Sequence, residues 1–232
     1  MKKNLVCNNC GLVNPLNSLT CSNCKSFLRE RVVNIDLFKI LARLIESPVN
    51  AFTYIIHSEN KNYIFLVLFL ISIKILINSF FIAAALGAED YFSQFLIKYI
   101  ILLLTVSSVI LLFSIGLKQL NKSVGIATTL KDNFSVLVYS YVPYIYGILI
   151  LFPVELIIFG DYLFSNNPSP FFLKETLAYT LLGFEVLLIL WSLFLSICAL
   201  YSLSGKIKYG ITTGIIFQIL IFLLTYFFPI TF

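Results

Sequence analysis

Four cysteines lie close together near the start of the chain, as Cys7-Asn8-Asn9-Cys10 and Cys21-Ser22-Asn23-Cys24. Two Cys-x-x-Cys pairs supply four thiolates, enough to close a tetrahedral zinc site with bonds of about 2.3 Å. The two-residue gap lets each pair turn both sulfurs onto one ion. Gly11, directly after Cys10, permits the left-handed backbone that such a knuckle favours, and Asn14-Pro15 reads as a turn between the pairs. Four protein ligands leave no open coordination position, so a Zn2+ ion on Cys7, Cys10, Cys21 and Cys24 is expected to be structural. A segment of about 25 residues cannot build a hydrophobic core, and metal binding, on the order of 10–16 kcal/mol, would supply most of its folding free energy. The same thiols would form two disulfides in an oxidising compartment, or a redox pair within an α/β fold. The charge distribution argues against the first reading, and nothing in the sequence has the pattern of the second. Cys198 is separate, inside an apolar run, and reads as a small buried hydrophobe.

The other residues able to do chemistry are Lys74, Glu155 and Glu185, each inside a long apolar run. An ionisable side chain at the centre of a membrane helix costs about 2.5–3.5 kcal/mol, so each is expected to face the interior or a partner. At about 1.5 Å rise per residue, Lys74 and Glu185 fall near mid-depth and are expected to approach one another. Glu155, in Pro153-Val154-Glu155, is placed nearer the outer interface beside a proline kink. These residues would serve either a proton or ion path or a buried pair that fixes helix packing. Lys98 is expected to snorkel to the outer face. His57, the only histidine, sits just before the first apolar run and reads as a partly exposed interfacial residue. No catalytic set, glycine-rich phosphate loop or Walker-type motif is present, and no enzymatic activity is expected. The basic residues are spread along loops, which suits an anionic membrane surface rather than nucleic acid.

The elements that must position these residues follow from composition. Of the 232 residues, 59% are hydrophobic and 12% charged, with a net charge of +5, against about 45–50% and about 25% in soluble domains. This excludes a disordered chain and points to a lipid bilayer as partner. Five runs are long enough to cross about 30 Å of hydrocarbon: 63–87, 95–117, 134–159, 177–203 and 209–228. Without period-two alternation they read as helices. The fold class expected is an all-α polytopic membrane protein with five transmembrane helices and a small N-terminal zinc ribbon. Its parts are a ribbon over 1–28, a linker over 29–62 and a membrane domain over 63–232. Thirteen basic residues fall on the N-terminal side of the membrane and only Lys174 on the other, which predicts a cytoplasmic N-terminus and an external C-terminus. Polar Asn8, Asn9 and Asn14 stand where a signal peptide would be apolar, so no cleavable signal is expected.

Between ribbon and membrane, 34–47 has helical periodicity. Ile35, Phe38, Leu41 and Ile45 lie among its apolar positions, while Asp36, Lys39, Arg43 and Glu46 form a narrow polar stripe. Asn34 is the expected cap and Pro48 the stop. At about 14 residues it is too short to span; it either lies on the cytoplasmic membrane face or packs against the ends of the bundle.

The cysteine segment resembles the short zinc ribbons found at the N-termini of prokaryotic membrane proteins, with Lys25 where such ribbons often carry a second glycine. Residues 36–230 resemble the Yip domain family of Ypt/Rab-interacting membrane proteins and their prokaryotic relatives. The resemblance rests on Ser47-Pro48-x-x-x-Phe52, on Tyr139-Ser140-Tyr141-Val142-Pro143, on Trp191, and on the short Lys206/Lys208 turn. It implies a five-helix polytopic protein with a cytoplasmic N-terminus, in the prokaryotic plasma membrane. The function expected is that of a non-enzymatic membrane protein. Its ribbon would dock a cytosolic or membrane protein partner, or a second copy of the chain, and the bundle would anchor and assemble it. The alternative is a small transporter or channel using Lys74, Glu155 and Glu185.

Overall fold

The structure, a computed structural model, describes residues 4–15, 18–28, 32–85, 95–165 and 167–231. Lys2, Lys3, Arg29 and Arg31 lie outside the described residues, as do the polar break at Ala88-Glu89-Asp90 and Asn166.

Strands β1 (Asn4–Val6) and β2 (Val13–Pro15) form an antiparallel hairpin that places Val6 opposite Val13. Strand β3 (Val32–Asn34) pairs in parallel with β4 (Ser58–Asn60). The connection between them is a helix pair, α1 (Leu37–Glu46) and α2 (Pro48–His57). Asp36, and not Asn34, caps α1, its carboxylate accepting from the Lys39 amide at 3.2 Å. Two residues of extended chain after Asn34 are needed to leave the β3–β4 pairing, which moves the start of the helix to Asp36. Pro48 ends α1 but also opens α2, at a position where its missing N–H costs nothing. Ile40 and Leu44 are buried on the packed side of α1, while Phe38 and Ile45 stay exposed, so the helix packs and still presents apolar side chains outward. Arg43 lies over the Tyr54 ring at 5.1 Å, tying α1 to α2.

Among the described residues, five helical segments are long and apolar enough to cross a membrane: Ile64–Ala84, Phe95–Ser123, Leu130–Phe164, Glu175–Ser204 and Ile207–Thr225. The chain is an integral membrane protein, and lipid-facing positions such as Leu104, Leu112, Ile150, Ile157 and Leu187 are exposed and apolar. Inside hydrocarbon only internally bonded backbone is stable, which forces these runs into helices. Helices α3 (Ile64–Ala85) and α4 (Phe95–Ser123) are continuous. The third crossing is not: α5 (Leu130–Tyr139), α6 (Val142–Tyr146), a π-helical turn at Gly147–Leu151, α7 (Phe152–Phe159) and a 3-10 turn at Gly160–Phe164 follow one another. Thr129 and Asp132 open α5 with a capping box, and Pro143 and Pro153 fall just inside the starts of α6 and α7. A short α8 (Pro170–Leu173) precedes α9 (Glu175–Ser204), and α10 (Ile207–Thr231) closes the chain.

α9 and α10 meet closely because Gly210 and Gly214, four residues apart, face Ile197 and Tyr201. A methyl group on Gly210 would come within 2.9 Å of the Tyr201 amide nitrogen. This small-x-x-x-small spacing lets membrane helices approach backbone to backbone. Just before α3, Lys61 is buried; its ammonium donates to the Ile55 and Ile56 carbonyls and pairs with Asp132 at 3.0 Å. A cation on the last carbonyls of α2 satisfies groups that helix geometry leaves open, and it joins α2 to α5.

Candidate functional site

The two cysteine knuckles are built alike. Cys7 N–H donates to Leu12 O and Gly11 N–H to Cys7 O; fourteen residues on, Cys21 N–H donates to Ser26 O and Lys25 N–H to Cys21 O. Gly11 takes φ +70° and Lys25 takes φ +57°, so the lysine adopts the left-handed conformation that its place in the knuckle demands. Buried Asn14 locks the halves together. Its amide donates to Leu12 O at 2.9 Å and to Cys21 Sγ at 3.5 Å, and its oxygen accepts from the Ser22 amide at 3.0 Å.

The sulfurs of Cys7, Cys10, Cys21 and Cys24 all lie within 4.8 Å of one another. Cys7–Cys24 and Cys10–Cys21 approach to 3.5 Å. Disulfide sulfurs sit about 2.05 Å apart, and all four cysteines are free thiols. Four thiolates at tetrahedral corners about 2.3 Å from one ion would stand about 3.8 Å apart. The observed spread brackets that figure, so the donor set fits a metal ion. The Ser26 hydroxyl, 3.2 Å from Cys7 Sγ and 3.0 Å from Cys24 Sγ, stabilises the thiolate form of both. With the Ser26 amide it brings Cys24 down to about 6, and it also lowers Cys7. Lowered thiols yield their protons to a metal more readily, whereas Cys10, although a backbone hydrogen bond at Leu12 lowers it, is pushed up to about 11 by burial and its three cysteine neighbours.

The intramembrane residues form a second cluster. Lys74 of α3 is wholly buried; it pairs with Glu185 of α9 and lies 3.4 Å from Glu155 Oε2 of α7. Asn78, one turn along α3, donates to Glu185 Oε2 at 2.7 Å. The approach of Lys74 and Glu185 agrees with the sequence reading. The placement of Glu155 near the outer interface does not, for a definite reason. The Lys61–Asp132 pair sets α3 and α5 level; Lys74 comes thirteen residues later in one path and Glu155 twenty-three in the other. Two straight helices would leave about 15 Å between them. The break at Ser140-Tyr141 and the π-helical turn shorten the second path, and the long side chains close the rest. Gly147, inside that turn, leaves room for Lys74, whose Cε would be 3.1 Å from a methyl group there.

Further polar residues converge on the bundle interior that the sequence reading did not single out. Tyr141 donates to Gln218 Oε1 at 2.8 Å, and Tyr209 donates to Asn121 Oδ1 at 2.6 Å. Gln218 carried a signal, an amide inside the 209–228 apolar run, whereas Asn121 lies beyond the end of the 95–117 run and carried none. Lys98, expected to snorkel, is buried instead: its position on α4 faces the bundle. His57 is half-buried at the end of α2, and Cys198 is buried in α9. Trp191 stacks on Tyr146 with ring centroids 5.5 Å apart. Tyr139 to Pro143 are all buried where the third crossing breaks. Comparisons with protein families, with curated proteins and with solved structures return no match for this chain.

Proposed function

We propose that this is a non-enzymatic membrane protein of Yip-like type. Its ribbon, closed by one zinc ion on Cys7, Cys10, Cys21 and Cys24, docks a protein partner in the cytosol, and its helical bundle is the anchor. The observation that carries docking is apolar surface where a solvated module has little reason to show it. Val6 and Val13, side by side across the β1–β2 hairpin, are 56% and 55% exposed, and Phe27 is 64% exposed. The Val6–Val13 pair is a contiguous apolar spot and Phe27 a further exposed ring on the ribbon, and exposed apolar surface is what a docking partner would cover. All-sulfur ligation in a reducing compartment favours zinc, and the thirteen-to-one basic asymmetry supports the cytoplasmic side. The Yip-like reading is supported by the buried Tyr139–Pro143 break and by Pro48 and Phe52 at the start of α2.

The test separates the surface from the metal. A Val6→Ser/Val13→Ser/Phe27→Ser variant is expected to keep its zinc and lose the partners captured by wild type in mild detergent. If the same partners return with wild type, with this variant and with Cys7→Ser/Cys10→Ser, docking is wrong.

A specific observation favours a second reading, a small transporter or channel. Two carboxylates, Glu155 and Glu185, surround one ammonium in the bundle, and charge balance in hydrocarbon calls for one more positive charge, a proton or a cation. Protein in liposomes would then pass a flux that Glu185→Gln abolishes; no flux in either protein rejects this reading.

A further inference from the structure

A cavity of about 220 Å³ opens beside the charged cluster, between α3, α9 and α10. Its walls are hydrocarbon, from Phe81, Ile82, Leu182, Val186, Ile189 and Phe222, and its polar lining is Glu185, Gln218 and Asn78 with the hydroxyl-bearing Tyr144 and Thr225. Gln218 is 94% buried, being 6% exposed. Its oxygen is taken by Tyr141 at 2.8 Å, while its Nε2 has no hydrogen-bond partner among the described residues. The hydrogen bonds of its polar neighbours run elsewhere: Thr225 donates to the Ile221 carbonyl and Asn78 Nδ2 donates to Glu185, and no acceptor among the described residues reaches Gln218 Nε2. Glu185 accepts from Lys74 and Asn78 and retains lone pairs, since each carboxylate oxygen offers two.

The polar lining therefore presents one unused donor and spare acceptor capacity. A carbonyl would satisfy only the first and an ammonium only the second; a carboxylate or phosphate would be repelled by the cluster. A hydroxyl answers both. Val186 and Phe222, at the mouth, also face outward. Gln218 lies eleven residues into α10, about 17 Å along its axis and so near the middle of a core of about 30 Å. The mouth opens on acyl chains and not on water.

We propose that this cavity binds a lipophilic alcohol entering from the bilayer, its hydroxyl accepting from the Gln218 amide and donating to the Glu185 carboxylate, its chain emerging between α9 and α10. This site rests on neither the docking nor the transport reading. The test uses full-length protein in lipid nanodiscs and a long-chain primary alcohol bearing a photoreactive diazirine, with cross-linked peptides mapped by mass spectrometry. The label is expected on cavity residues of α9 and α10, competed by hexadecanol about fivefold better than by its methyl ether, a difference of one hydrogen bond. Gln218→Leu should weaken labelling about fivefold. Because that change also strips a partner from Tyr141, Val186→Trp at the half-exposed mouth serves as the independent variant and should abolish the label while leaving the unfolding transition in place. No label, label spread over lipid-facing α4, equal competition by alcohol, ether and alkane, or label indifferent to Val186→Trp would each overturn the proposal.

Discussion

Removing the charge of Lys74 and removing that of Glu155 should have very different consequences. Lys74 is wholly buried between Glu185, its closest partner, and Glu155, at 3.4 Å. Lys74→Met keeps the volume but leaves two carboxylates facing one another without a cation. Taking one partner out of a buried ion pair costs about 3–5 kcal/mol. Glu155→Gln instead leaves one ammonium with one carboxylate, a balanced pair, and its amide oxygen still accepts from Lys74; the loss expected is under about 1 kcal/mol. Glu185→Gln also balances the charge but weakens the closest contact, and falls between, at about 1.5–3 kcal/mol. Reversible unfolding in mixed micelles, followed by the fluorescence of Trp191, the single tryptophan, reads all three. If Glu155→Gln loses as much as Lys74→Met, the idea that the cluster holds a surplus carboxylate is refuted.

Gly214→Ala would place a methyl 2.9 Å from Ile197 Cγ1 and 3.2 Å from its Cα, forcing α9 and α10 apart at a cost of about 1–3 kcal/mol. Gly116→Ala, with nothing within 4 Å, should instead gain about 0.5–1 kcal/mol from helix propensity, and the same micelle titration compares their signs. Lys25→Gly removes a left-handed lysine at φ +57°; a net gain of about 0.5–1 kcal/mol should tighten zinc about two- to fivefold in a chelator competition. Ser26→Ala removes the hydroxyl that lowers Cys24 and Cys7. Ligand thiols lowered in the fold lose their ionised form only as pH falls through those lowered values. Raising them should therefore move the midpoint of acid-induced metal release to higher pH, read by a zinc-sensitive dye.

The membrane helices were legible because hydrophobic run length maps directly onto bilayer thickness, and the cysteine pairs because ligand spacing is short-range and chemical. Contact between Lys74 and Glu185 followed from depth alone. What escaped depended on where helices break. Nothing local marks Gly147–Leu151 as a π-helical turn, so Glu155 was placed too far out. Pro48 read as a stop, although the same residue type starts helices, and α2 went unseen in a stretch judged to be linker. Lys61 looked like one more basic loop residue; only the fold brings it onto the α2 carbonyls and Asp132. Gly210 and Gly214 carried a readable spacing, but which helix they face is a tertiary fact.

The sulfur-closed ribbon is the feature on which the functional account depends, and its chemistry is visible in the intact mass of the full-length protein under non-reducing, metal-preserving conditions. One zinc ion per chain with no disulfide is the predicted mass. A metal-free chain lighter by the hydrogens of one or two disulfides would contradict the account.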